Sequence, residues 1–157
     1  MRRLFLVTLI LVACNKSNRP APTPAYTVSA SINGTPTTFN AIINIDSAST
    51  PGTLYIVAHS DSGNLTPLLE IAISRTGALK PGAYPFADSA NGPLGQVGYT
   101  TWLNGGAVQY PAISDTVTVT TVNPTWISGT FQGTCAYSID SVVSITNGQF
   151  TVGWNEH

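Results

Sequence analysis

Charge is scarce in this chain. Only 8% of its 157 residues are Asp, Glu, Lys or Arg, against roughly 25% in an average globular protein. The formal net charge is −1, so no basic excess exists to neutralise phosphates, which argues against nucleic acid as a partner. Cysteine and histidine occur twice each. No G-x-S-x-G elbow, Walker A run, H-E-x-x-H pair or dinucleotide fingerprint is present, and no cofactor is expected. No stretch repeats apolar residues at i, i+3, i+4 and i+7, so no helix is expected in the body. With 43% hydrophobic residues the chain is too apolar for disorder. Its length suggests one domain that buries roughly 70% of its unfolded surface.

What the chain does have begins at its start. Arg2 and Arg3 precede an apolar run from Leu4 to Val12 interrupted only by Thr8. This fits a signal-peptide h-region of about 7–15 residues and is too short for a helix spanning about 30 Å of hydrocarbon. The run ends Leu11-Val12-Ala13-Cys14, which resembles the lipobox of bacterial lipoproteins. The resemblance implies a signal peptide over residues 1–13, cleavage before Cys14, and acylation of that thiol. The alternative is an ordinary cleaved signal with a spare cysteine. The processed chain would keep four basic residues (Lys16, Arg19, Arg75, Lys80) against seven acidic ones, a net of −3. With no basic patch for anionic headgroups, the membrane partner is reached through the acyl chains on Cys14, several chains anchoring where one is marginal.

Residues 14–25 form the lipidated cysteine and a tether, in which Pro20, Pro22 and Pro24 alternate with small residues. That composition favours polyproline II, reaching roughly 30 Å at about 3.1 Å per residue. Asn15 stands where an Asp tends to retain lipoproteins in the inner membrane, and residues 15–19 carry no acid. The expected address is therefore the outer membrane, periplasmic face rather than cell surface.

Residues 26–157 read as a single β domain of about nine to eleven strands, spaced near 8–12 residues. Val28, Ala30 and Ile32 share one face, as do Phe39, Ala41, Ile43 and Ile45. Residues 53–59 are apolar on both faces, as in a central strand. Leu69, Ile71 and Ile73 point inward, and residues 116–122 alternate Thr with Val. Asn33-Gly34 and Asn147-Gly148 each predict a type I′ hairpin turn. Further strands are expected over 97–103, 127–133, 136–139, 141–146 and 149–154. The fold class is all-β, an antiparallel β-sandwich, with a closed antiparallel barrel as alternative.

Several phrases, in order, resemble a family of small Bacteroidetes lipoproteins of unknown function. These are Ile32-Asn33-Gly34 with Phe39-Asn40-Ala41, then Pro81-Gly82-Ala83-Tyr84, then Ile127-Ser128-Gly129-Thr130-Phe131, then Ile145-Thr146-Asn147-Gly148-Gln149-Phe150. The match covers most of Tyr26 to Trp154, and family members often carry Trp where Phe39 stands. The resemblance implies a β-rich domain behind a lipid anchor, with no reaction or ligand attached. The same residues also have structural readings: Gly129 a bulge or close packing, Phe39, Phe131 and Phe150 core.

Chemistry is thinly supplied. His59-Ser60-Asp61 sets an imidazole and a carboxylate near a strand end, and a hydrolase there is the alternative function; Asp61-Ser62-Gly63-Asn64 reads equally as a turn. Asp46, His59, Asp61 and Cys135 lie on separate segments without metal-ligand spacing, so no metal is expected. Cys135, the thiol left once Cys14 is acylated, is expected to be buried. The best ligand-binding patch is aromatic: Trp102 beside Asn104-Gly105-Gly106, with Tyr99 and Tyr110, a stacking platform for glycan or peptide. The expectation is thus a non-catalytic binding or accessory module of the envelope, partnered by a glycan or an envelope protein; a purely structural envelope component is the third reading.

Overall fold

The computed structural model describes residues 25–45, 52–60, 67–86, 94–103 and 105–153. Among them there is no helix. Ten strands run β1 (Thr27–Ile32), β2 (Thr35–Ile45), β3 (Gly52–His59), β4 (Leu68–Arg75), β5 (Gly82–Pro85), β6 (Leu94–Leu103), β7 (Gly106–Tyr110), β8 (Ala112–Val122), β9 (Trp126–Ser138) and β10 (Ser141–Gly153). The signal segment, Cys14 and the tether up to Pro24 lie outside the described residues.

The protein is all-β. Its strands form one curled antiparallel sheet in the order β5-β8-β9-β10-β1-β2-β3-β4-β6-β7. Strand β2 is the hinge of the curl: its first half pairs with β1 through Val28↔Phe39, and its second half pairs with β3 from Asn40↔His59 onward. The sheet therefore folds over itself, and the sandwich and barrel expectations meet in one half-barrel.

Alternation explains the burial. Val28 and Ala30 on β1, Leu54, Ile56 and Ala58 on β3, Leu69, Ile71 and Ile73 on β4, and Val117 and Val119 on β8 all enter one core cluster. Phe39 joins them; the side chains of Ala41, Ile43 and Ile45, expected on its face, lie outside those described. At roughly 25 cal/mol per Å2 of apolar surface, such inward faces are the main drive for the fold.

Two glycines decide how the layers pack. Phe150 lies over Gly129 and Phe131 lies over Gly148, across the β9–β10 ladder. The two rings sit 6.5 Å apart. Gly129 thus serves close packing, one of its two expected roles.

Asn33-Gly34 turns β1 into β2 with φ of 48° and 82°, the positive pair a type I′ turn requires. Asn147-Gly148 does not reverse the chain, contrary to expectation. Strand β10 runs straight through it as one 13-residue strand. Pairing jumps from Ile145↔Gly133 to Gly148↔Phe131, so two residues face one across the ladder. Asn147, at φ 53°, absorbs the extra residue as a bulge. The same continuity merges the two strands expected over 127–139 into β9. Strand β7, too short and glycine-flanked to register in the sequence pattern, pairs β6 through Tyr99↔Tyr110 to Leu103↔Gly106.

Candidate functional site

Of the aromatic platform, the two tyrosines turn inward. Tyr99 and Tyr110 are cross-strand partners on the inward face, only 8% and 5% exposed. Their rings meet edge-to-face with centroids 6.1 Å apart. The Tyr110 hydroxyl finds Ser141 Oγ at 3.2 Å, and Tyr137 tilts against the Tyr110 ring at 6.2 Å. Burial raises the Tyr99 phenol above its ordinary range, partly offset by a hydrogen bond with Thr101. Each ring supplies core area while its hydroxyl reaches toward a polar group. Neither ring offers a face for a sugar. Trp102 lies with its backbone opposite Ala107; its indole, like Trp154, is outside the described side chains.

His59 closes β3, between Asn40 of β2 and Leu68 of β4, and is half-buried. Its strand is paired on both flanks, as expected of a central strand. Its proposed carboxylate partner Asp61 lies outside the described residues, as does Asp46. Among the described residues no three His, Cys, Asp or Glu side chains gather as metal ligands.

The most chemically distinctive cluster is one the sequence did not single out. Strand β7 pairs with β6 only as far back as Tyr99, so among the described residues no strand pairs with residues 94–98 of β6 on that flank. There two side chains take the place of a strand. Asp115 Oδ2 on β8 accepts the Val97 N–H at 2.6 Å, and Cys135 Sγ on β9 donates to the Val97 carbonyl at 3.2 Å. The neighbouring backbone adds Phe86 N–H to Asp115 O and Ala136 N–H to Pro111 O, each at 3.0 Å. The curl is thereby closed by side-chain staples where, among the described residues, no ladder continues.

This closure is electrostatically strained. Asp115 Oδ1 is buried with no hydrogen-bond partner. Burial pushes the Asp115 carboxyl up to about 6, the Val97 hydrogen bond opposing it. Burial, helped by the nearby Asp115 charge, pushes the Cys135 thiol up to about 11. A nucleophilic cysteine needs the opposite shift; this thiol stays protonated as a hydrogen-bond donor. A signal for Asp115 did exist: it shares the inward parity of Val117 and Val119, a place where an acid needs a reason.

On the outer face of β8, β9 and β10 two shallow depressions lie end to end. One, of about 270 Å3, lies between Ser114, Gln132 and Ser144. The other, of about 400 Å3, lies between Thr118, Thr130 and Gln149. Thr116 and Gln132 border both. Set against protein-family models, curated proteins and solved structures, the chain matches none.

Proposed function

We propose that this chain is a lipid-anchored lipoprotein of the bacterial cell envelope whose β domain is a non-catalytic binding or accessory module. The observation that carries the reading is the apolar run ending Leu11-Val12-Ala13-Cys14, followed directly by a proline-rich spacer. Acyl chains on Cys14 would hold the protein at the outer membrane, with the periplasmic face favoured. The geometry of the body is compatible with such tethering. Tyr26, which follows the spacer in sequence, lies against Gly153 at the end of β10. The β9–β10 hairpin, 13 residues in each strand, then reaches about 40 Å away, at about 3.3 Å per residue. Its far turn carries Ile139, 93% exposed, and the exposed Tyr137 stands near that end on β9.

The experiment is processing and fractionation of a Cys14→Ser variant in a bacterial host, with metabolic labelling by a palmitate analogue. The wild type should take up label and sediment with membranes, and the variant should lose both properties. A variant that is still processed and still sediments would overturn the anchor.

A further inference from the structure

We infer that the outer face of β8–β9–β10 is a binding trough for an uncharged, extended polysaccharide. The inference rests on the binding-module reading and gives it a ligand class and a place.

Three observations carry it. The two depressions follow one another along the strand direction, because both share Thr116 and Gln132. From Ser144 to Gln149 they run about 15 Å at about 3.3 Å per residue, long enough for a polymer segment rather than a small metabolite. Next, their outward side chains are hydroxyls and carboxamides. Asp115 borders the first depression, but its carboxylate is turned through the sheet to Val97, so among the described lining residues no formal charge faces the trough. Finally, these groups are almost idle within the protein. Thr116 Oγ1 donates to the Asp115 carbonyl at 2.8 Å, whereas Thr118, Thr130, Gln132 and Gln149 make no side-chain hydrogen bond among the described residues.

Hydroxyls and carboxamides both donate and accept, which matches a polyol, whose groups do the same. An ionic ligand would find no counter-charge here. A peptide strand would bind through backbone hydrogen bonds at a sheet edge. The trough lies mid-sheet, where the backbone of β9 is already paired with β8 and β10. Thr side chains are stiff at χ1 and stand on a rigid ladder, so little ordering entropy is lost on binding. The bulge at Asn147 belongs to the same site, because it shapes the wall of the second depression.

The test is affinity electrophoresis of the detergent-solubilised full chain through gels containing a neutral β-glucan, a mannan or a galactan, with polygalacturonate as the charged control. At least one neutral polymer should retard the wild type, equally at about 0.05 and about 0.5 M NaCl, since uncharged contacts are not screened. Gln132→Ala, and separately the Thr118→Val/Thr130→Val pair, should weaken retardation by roughly tenfold, the effect of losing one or two hydrogen bonds, while melting temperature stays unchanged. Should the paired variant fail to fold, Gln132→Ala decides alone. No retardation by any neutral polymer, equal retardation of the variants, or preference for polygalacturonate would each overturn the trough. These outcomes are independent of acylation at Cys14, so failure here and failure of the anchor can be told apart.

Discussion

Asp115 and Val97 close the sheet: a carboxylate oxygen of β8 takes the backbone N–H of β6 at 2.6 Å, where no strand among the described residues does so. The bond places a carboxyl at an inward position with Oδ1 buried and unpartnered. A protonated carboxyl still accepts from Val97 through its carbonyl oxygen and carries no charge to desolvate. The folded protein therefore holds this proton more tightly than the unfolded chain, with the group raised from 3.8 to about 6. A raised carboxyl pKa means that the native state binds the extra proton between these values. The contribution of Asp115 is thus most favourable below about pH 4 and declines as pH rises to about 6. Asp115→Asn keeps an acceptor oxygen without the charge. Above pH 6 it should be more stable than wild type by about 1–2 kcal/mol, a figure reduced from the full linkage value because the side chain is only half-buried. The advantage should vanish near pH 4. Urea midpoints of both proteins across this range check it; parallel curves would show that the seam does not titrate.

Cys135 is the second staple, and its thiol is held up near 11 by burial and by Asp115. In a Cys14→Ser background it should be inert toward a disulfide reagent at pH 8 and react promptly in denaturant. Cys135→Ala removes the donor to Val97 O and leaves a small void, at an expected cost of about 1–2 kcal/mol. Cys135→Ser keeps a donor and should differ from Cys135→Ala in the amide hydrogen exchange of β6 more than in that of β3.

The inward and outward faces of β1, β4 and β8 were legible because a strand alternates with period two; those of β3 were not, because its apolar residues fall on both faces while only Leu54, Ile56 and Ala58 turn into the core and Tyr55 stays exposed. Phe39, Phe131 and Phe150 were legible as core by the same alternation. The Asn147 bulge was not, because Asn-Gly has one local signature whether it reverses a hairpin or sits in a bulge. What separates the two is whether neighbouring strands already occupy both flanks, and that is a tertiary fact. The inward turn of two platform residues was hidden similarly: Tyr99 and Tyr110 look surface-ready beside a glycine loop, yet the pairing Tyr99↔Tyr110 sets both on the inward parity. Asp115 went unnoticed because its reason is Val97, 18 residues away.

The two left-handed asparagines should respond differently to glycine. Asn33 Oδ1 accepts the Ser144 N–H at 2.8 Å and its own N–H donates to Ser144 O at 2.8 Å, so its side chain ties the β1–β2 turn to β10. Asn147 has the same left-handed φ but no side-chain hydrogen bond among the described residues. Asn147→Gly should be neutral or slightly stabilising, and Asn147→Ala should cost about 1 kcal/mol of backbone strain. Asn33→Gly should cost about 1 kcal/mol despite relieving φ, through the lost bond. Chemical denaturation of the three variants measures the contrast, and equal effects of glycine at both sites would contradict it.

Gly129 and Gly148 face opposite rings of one aromatic pair. A Cβ at Gly129 would meet the Phe150 ring and the Thr118 carbonyl; one at Gly148 would meet the Phe131 ring and its carbonyl. Ring atoms can yield and backbone carbonyls in a ladder cannot, so alanine at either position should destabilise by about 2–3 kcal/mol, the usual scale of overpacking. The sources of strain can be separated at Gly129. Phe150→Leu alone removes buried aromatic area and should cost about 1–2 kcal/mol. Combined with Gly129→Ala it should cost less than the sum of the two, because the shortened side chain vacates the space the new methyl enters. A coupling of about 1 kcal/mol in a double-mutant cycle is the expected result. Strict additivity would mean that the clash at Gly129 is with the Thr118 carbonyl alone, and that the ring over the glycine is an accident of packing.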